Sequence, residues 1–203
     1  MTACGLALVL AQGCGSSGTP SAHTSSANAT STSAPASSGA PNALAGEAQS
    51  AATGDIPDNQ VFLTYRSASP RYTMLYPEGW ALKGGGPDVT ISDKNNIVHV
   101  VISSGGPPSA QGLATELSAL KRSSPSLTFS SPAPVGLKPG RALKATYSTL
   151  SAPNPVTGKS VLLIVDRYEL SNAGRRATVD LGTPKGVDNV DAYRKMINSF
   201  TWQ

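Results

Sequence analysis

Ile97-Val98-His99-Val100-Val101-Ile102 and Val161-Leu162-Leu163-Ile164-Val165 decide the fold of this chain. Both runs are short, rich in β-branched residues and apolar at successive positions. Neighbouring side chains of a strand point to opposite faces, so each run is a strand with apolar groups on both sides. A strand of that kind needs material packed on each face.

The segments around these two runs read as more strands. Gly140 to Tyr147 alternates, with Leu143, Ala145 and Tyr147 on one face and Lys144 and Thr146 on the other. Arg71 to Tyr76 carries β-favouring residues and stops at the turn sequence Pro77-Glu78-Gly79. Asp88 to Ser92 and Ile97 to Ile102 flank Asp93-Lys94-Asn95-Asn96, a hairpin with Asp and Asn where positive φ is tolerated. Ser160 to Leu170 and Arg175 to Gly182 form a second hairpin around Asn172-Ala173-Gly174.

Two segments have the spacing of helices. After Pro107-Pro108, Ser109 caps a helix that places Leu113, Leu117 and Leu120 at i, i+4 and i+7. Near the end, Val190, Tyr193, Ile197 and Phe200 line one face, with Arg194 and Lys195 toward the negative end of the helix dipole. The expected class is therefore α+β, an antiparallel β-sheet with helices packed on both faces, an α-β-α sandwich. An all-β sandwich is the alternative, but it gives the two helices no natural place.

These elements belong to residues 58–203, a length suited to one domain. The domain has no cysteine, so neither a disulfide nor a thiol nucleophile contributes. All 16 Lys and Arg of the chain lie in it against ten Asp and Glu, a net charge of +6 once Glu47 and Asp55 are set apart. The charges are scattered, which suits a surface near anionic lipids or wall polymers. Nucleic acid is excluded as a partner: no recognition motif is present and no aromatics interleave the basic residues.

The preceding stretch is of another kind. Leu6 to Gly13 is a short apolar run ending at Cys14, and no Lys or Arg occurs before Arg66. An apolar run, a small residue and then a cysteine form a lipoprotein signal over residues 1–14, with Cys14 carrying the lipid. The basic start usual in such signals is missing, which fits a start codon upstream of Met1. The alternative is that Cys4 and Cys14 are ordinary cysteines, even a disulfide pair. Residues 15–57 are almost all Ser, Ala, Thr, Gly, Pro and Asn. Such a composition cannot bury enough apolar surface to order itself, so a disordered tether of roughly 36 Å mean span is expected. His23 and the sequon at Asn28 carry no functional weight there.

The candidate sites are few. His99 is the domain's one histidine and sits in an apolar strand, where a hydrogen-bonded, half-buried role is expected; Asp88 and Asp93 are the nearest carboxylates in sequence. A zinc site wants three or four ligands, so no metal is assigned. Asp188 and Asp191 start the last helix, where negative charge favours the dipole. Gly84-Gly85-Gly86 lacks the Lys-Ser/Thr of a phosphate loop, and no Gly-x-Ser-x-Gly elbow or His-Glu-x-x-His occurs. No catalytic, cofactor-binding or metal-ligating residue is therefore named, and no cofactor is expected. Loops Gly84–Pro87 and Pro153–Lys159 are the expected mobile, binding edges.

Tyr72-Thr73-Met74-Leu75-Tyr76-Pro77-Glu78-Gly79-Trp80 resembles the Y-x-x-x-Y-P-x-G-W opening of PsbP-like domains. These are relatives of the extrinsic PsbP protein of photosystem II, many of them bacterial lipoproteins. Tyr193 to Trp202 is similar to the family's last helix and its I-x-S-F strand. The resemblance covers residues 59–203 and implies the same α-β-α layering. It also implies a non-enzymatic binding or assembly role on membrane complexes; some members bind metal ions, but no ligand set matches here.

The expected protein is thus a non-catalytic lipoprotein module, lipid-anchored on the extracytoplasmic face of a bacterial membrane. Its expected partner is an envelope protein, lipid or wall polymer. An envelope lipid or ester hydrolase, or a small-molecule carrier, is the alternative.

Overall fold

The computed structural model describes residues 53–154 and 156–203. The lipoprotein signal with Cys4, Cys14 and His23, and the tether up to residue 52, lie outside the described residues.

The strands are β1 (Phe62–Ser67), β2 (Tyr72–Pro77), β3 (Ala81–Gly85), β4 (Asp88–Asp93), β5 (Asn96–Ser104), β6 (Thr128–Phe129), β7 (Ala133–Leu137), β8 (Gly140–Leu150), β9 (Leu162–Asn172), β10 (Arg175–Pro184) and β11 (Thr201–Trp202). The helices are α1 (Ala110–Ser123) and α2 (Val190–Ser199). One sheet has the order β3-β4-β5-β10-β9-β8-β6, with β7 also on β8; the other is β1-β2-β11. Every pairing is antiparallel.

Turn chemistry sets the registers. Ala173 (φ 48°) and Gly174 (φ 75°) close β9 onto β10 and place Asn172 opposite Arg175, the twist a two-residue hairpin needs. Between β4 and β5 the positive φ falls on Lys94 (52°) rather than on the expected Asp or Asn. Asp93 and Asn96 are then the closing pair of that turn.

The core forms two clusters, each taking one helix. Val89, Ile91, Val98, Val100, Val179 and Leu181 pack with Tyr193, Met196 and Ile197 of α2 and with Tyr72, Met74 and Phe200 of the small-sheet region. Leu113 and Leu117 of α1 pack with Leu127, Ala145, Tyr147, Leu163 and Val165. Strand alternation assigns Ala145, Leu163 and Val165 to the face opposite Val179 and Leu181. Helical cover is nonetheless limited, because the three-stranded sheet supplies part of what helices were expected to supply.

Several expectations change at the level of residues. Ser109 caps α1, accepting from Gly112 N at 3.0 Å, but Leu120 is 37 % exposed because the cluster ends at the second turn. On α2, Val190 is 58 % exposed and Met196 takes the buried place. Arg194 is mid-helix and pairs with Asp191, so it does not serve the helix's negative end.

The Gly84–Pro87 segment is pinned, not mobile. Gly84 and Gly85 are the end of β3, and a Cβ on Gly84 (φ +82°) would strike the Asp88 carbonyl. Tyr72 Oη donates to Gly86 O at 3.2 Å, and Ile102 N donates to Pro87 O at 2.7 Å. Trp80 is buried in the first cluster, as the Pro-x-Gly-Trp turn implies.

The folded region also begins earlier than residue 58. Ile56 lies in the first cluster and its N–H donates to Asn189 Oδ1 at 2.8 Å. The Gly54 carbonyl accepts from Asn189 Nδ2 at 3.1 Å and from Asn96 Nδ2.

Candidate functional site

β9 does not have both faces covered along its length. Leu163 and Val165 are buried beneath α1, but Leu162 is 38 % exposed and Ile164 is half-buried. On the Ile164 face an open groove of about 460 Å³ lies between α2 and β7. Leu181 and Tyr168 continue its apolar floor, Val135 and Leu137 of β7 form one wall, and Tyr193 and Arg194 of α2 form the other.

A polar ladder crosses this floor. Lys144 Nζ lies 2.8 Å from Asp166 Oδ2, and Thr146 Oγ1 donates to Asp166 Oδ1 at 2.6 Å. The same ammonium sits 5.4 Å from the centre of the Tyr168 ring. Burial pulls the Lys144 pKa down, but the hydrogen bond and charge of Asp166 outweigh that effect and hold it above its ordinary value. Lys144 is therefore a fixed cation and no base. Burial, then the Asp166 charge, raises the Tyr168 hydroxyl as well.

The face of β9 that carries Leu163 and Val165 also carries a largely buried layer of charge. Arg167 grips Asp180 with two bonds, Nε to Oδ1 at 2.8 Å and Nη2 to Oδ2 at 2.6 Å, and Tyr147 Oη donates to Asp180 Oδ2 at 3.2 Å. Glu169 is wholly buried two residues further on, with neither oxygen hydrogen-bonded and Arg176 Nη1 4.0 Å away. Arg176 pairs instead with Glu116 of α1 at 3.2 Å. Burial first, then the Glu116 charge, pushes the Glu169 carboxyl from 4.5 up to about 7. A group with no exposed surface meets no substrate, so its near-neutral titration bears on stability.

A folded-state pKa above the unfolded value means that ionisation opposes folding. The contribution of Glu169 is present below the unfolded value and is lost as pH rises toward 7. Relative to the parent, Glu169→Gln is expected to remove about 2 kcal/mol of stability loss between pH 5 and pH 8. Denaturant midpoints at both pH values check this, and parallel pH dependence in the two proteins would refute it.

His99 Nε2 lies 2.9 Å from Asp88 Oδ1, at the half-exposed position expected for it. Asp93 is not brought to this pair; it lies beside Lys94 at the hairpin turn, 4.0 Å away. Asp188, just before the Asn189 N-cap of α2, accepts from Val190 N at 3.2 Å, while Asp191 pairs with Arg194 at 2.9 Å. Among the described residues, no three or more His, Cys, Asp or Glu are grouped to hold a metal ion. A wider cleft of about 720 Å³ beside α2 is bordered by Asp55, Asp58, Asp188 and Asp191. Its one aromatic ring, Phe62, is already covered by Lys195, whose Nζ is 4.0 Å from the ring centre. The groove over β9 thus has the better claim to bind.

The folded region of this chain has a PsbP-like fold. It is similar to the solution structure of cyanobacterial PsbP (CyanoP) from Synechocystis sp. PCC 6803, with a TM-score of 0.54 at 17 % identity. That match covers 74 % of this chain and 98 % of the other. A Bacteroides thetaiotaomicron crystal structure overlaps 69 % of this chain and 48 % of its own, with a TM-score of 0.48 at 12 % identity. The Ran-binding protein Mog1p of Saccharomyces cerevisiae overlaps 70 % and 95 %, at 0.43 and 9 %. No family model and no curated protein sequence matches the chain.

Proposed function

We propose that this protein is a non-catalytic binding or assembly module of the bacterial envelope, held to the extracytoplasmic face of the membrane by a lipid on Cys14. Its layering is α-β-α, with α1 on one face of the large sheet and α2 with the small sheet on the other, as the two separate clusters support. The occupant of the β9 groove is an extended segment of an envelope protein that carries apolar and acidic side chains. A net charge of +6 over residues 58–203 favours such a segment.

The observation that carries this reading is the half-buried Ile164 on a floor shared with Tyr168 and Leu181, beside the fixed Lys144 cation. Apolar groups converging with a few oriented polar ones are the usual makings of a binding site. A photo-crosslinking residue at position 164 should join the protein to an envelope protein in intact cells. The same residue at Thr115, exposed on α1, should not. Equal products from both positions, or none from 164, would sink the groove.

The anchor has its own test. Cys14→Ala is expected to move the protein from the membrane fraction to the medium. Retention in the membrane would mean that Cys14 carries no lipid.

A further inference from the structure

The hairpin between β8 and β9 ends in exposed apolar side chains. Leu150 and Leu162 face each other across the strands at 56 % and 38 % exposure, and Val156 at the tip is 90 % exposed. Asn154 Oδ1 accepts from the N–H groups of Val156 and Thr157 at 2.9 and 3.0 Å. Asn154 N donates to Lys159 O at 2.9 Å, and Gly158 N returns a bond to Asn154 O at 2.8 Å. A built turn that presents valine to solvent fills no place in the core.

The tip also lies at a particular end of the molecule. Thr183 is opposite Ile164 and Lys185 N donates to Leu162 O, so the end of β10 adjoins the root of the hairpin. Asn189 joins Thr183 to Gly54, through Nδ2 contacts of 2.9 and 3.1 Å. The chain therefore enters the domain from residues 1–53 at the end of the sheet from which the hairpin projects. No Asp or Glu occurs between Lys144 and Asp166, while Lys159 lies in the hairpin and Lys185 at its root. Asp55 and Asp188 border the entry on the α2 side, so attraction to an anionic surface must come from those two lysines.

We infer that the β8–β9 hairpin is a membrane-contact element, whose Val156 tip enters the interface of an anionic bilayer while Lys159 and Lys185 meet lipid phosphates. Burying one valine side chain shifts a partition equilibrium about tenfold, and each lysine near an anionic surface adds about fivefold. With the Cys14 anchor proposed above, residues 1–53 strengthen these contacts further by raising their effective concentration at the bilayer. The contacts set which face points outward, and the β9 groove, on the same face as Leu162, then lies close to the membrane plane.

Unacylated full-length Cys14→Ala protein tests the hairpin apart from the anchor. It is expected to float with phosphatidylglycerol vesicles and to bind phosphatidylcholine vesicles at least about tenfold more weakly. Val156→Asp should lower binding to phosphatidylglycerol about tenfold or more with an unchanged thermal midpoint. Lys159→Glu with Lys185→Glu should do the same. Absence of flotation, flotation unaffected by Val156→Asp, or a Val156-dependent dimer in place of vesicle binding would each overturn the proposal.

Discussion

Asp180→Ala is expected to destabilise the domain by about 3–5 kcal/mol. Asp180 is the shared acceptor of the charged layer, holding Arg167 with bonds of 2.8 and 2.6 Å and the Tyr147 hydroxyl at 3.2 Å. Side-chain exposures of 13 % for Arg167 and 9 % for Asp180 leave water little access once the carboxylate is gone. The guanidinium would then keep the Tyr147 ring 5.3 Å away and the attraction of the Glu116 charge, but neither of its bonds to Asp180. Removing both charges together, as Arg167→Met with Asp180→Leu, should cost far less, since buried pairs are often replaceable by packed apolar groups. Chemical denaturation of Arg167→Met, Asp180→Leu and the double gives the coupling directly. A loss below about 1 kcal/mol for Asp180→Ala would mean that the pair behaves as a surface salt bridge.

The same pair shows what the sequence could have revealed. Across the two-residue turn Ala173-Gly174, Asn172 meets Arg175, and each step back on β9 meets one step forward on β10. Five steps bring Arg167 opposite Asp180, so the ion pair was legible from the hairpin alone. Reading the strands for apolar periodicity passed over it, because two charges facing each other do not register as core. Glu169 was hidden for a different reason: its burial depends on α1 crossing over it, a contact from an element some fifty residues away in the chain.

Patterns tied to local chemistry were easier to read. The Ser109 cap, the Pro77-Glu78-Gly79 turn and the apolar faces of β5 are fixed by neighbours in sequence. Val98 and Val100 are accordingly inaccessible to solvent. For β9 the same reasoning went too far. Leu162 and Ile164 were read as covered because they are apolar, yet composition reports preference for burial and not the presence of a neighbour. The difference between the two is the groove. Gly84 and Gly85, expected in a mobile edge, instead continue β3, and at Gly84 the missing Cβ admits the Asp88 carbonyl at close range. Ile56, a lone large apolar residue among small ones, gave no periodic signal, although it is part of the core.

Ile56 leads to the larger of the two effects. Deleting residues 54–57 is expected to cost about 5 kcal/mol or more, a large part of the roughly 5–15 kcal/mol that holds a domain folded. Losing a buried isoleucine side chain alone costs about 2–5 kcal/mol. The deletion also removes the partners of two buried amides. Asn189 Oδ1 loses the Ile56 N–H, and the Asn189 and Asn96 side-chain amides lose the Gly54 carbonyl. Each buried polar group left without a partner adds about 1–3 kcal/mol. Asn189 and Asn96 are 3 % and 2 % exposed, so water cannot easily take over. Their remaining contacts, to each other at 3.1 Å and to Thr183, would soften rather than vanish. Deleting 15–52 and sparing Gly54 to Pro57 is expected to leave the thermal midpoint unchanged, since that stretch offers little large apolar surface to the core. The first deletion removes four residues and the second 38, yet the shorter one should give much the lower thermal midpoint. Equal midpoints would show that the strap from Gly54 to Ile56 adds nothing, and that the folded region begins at Asp58 after all.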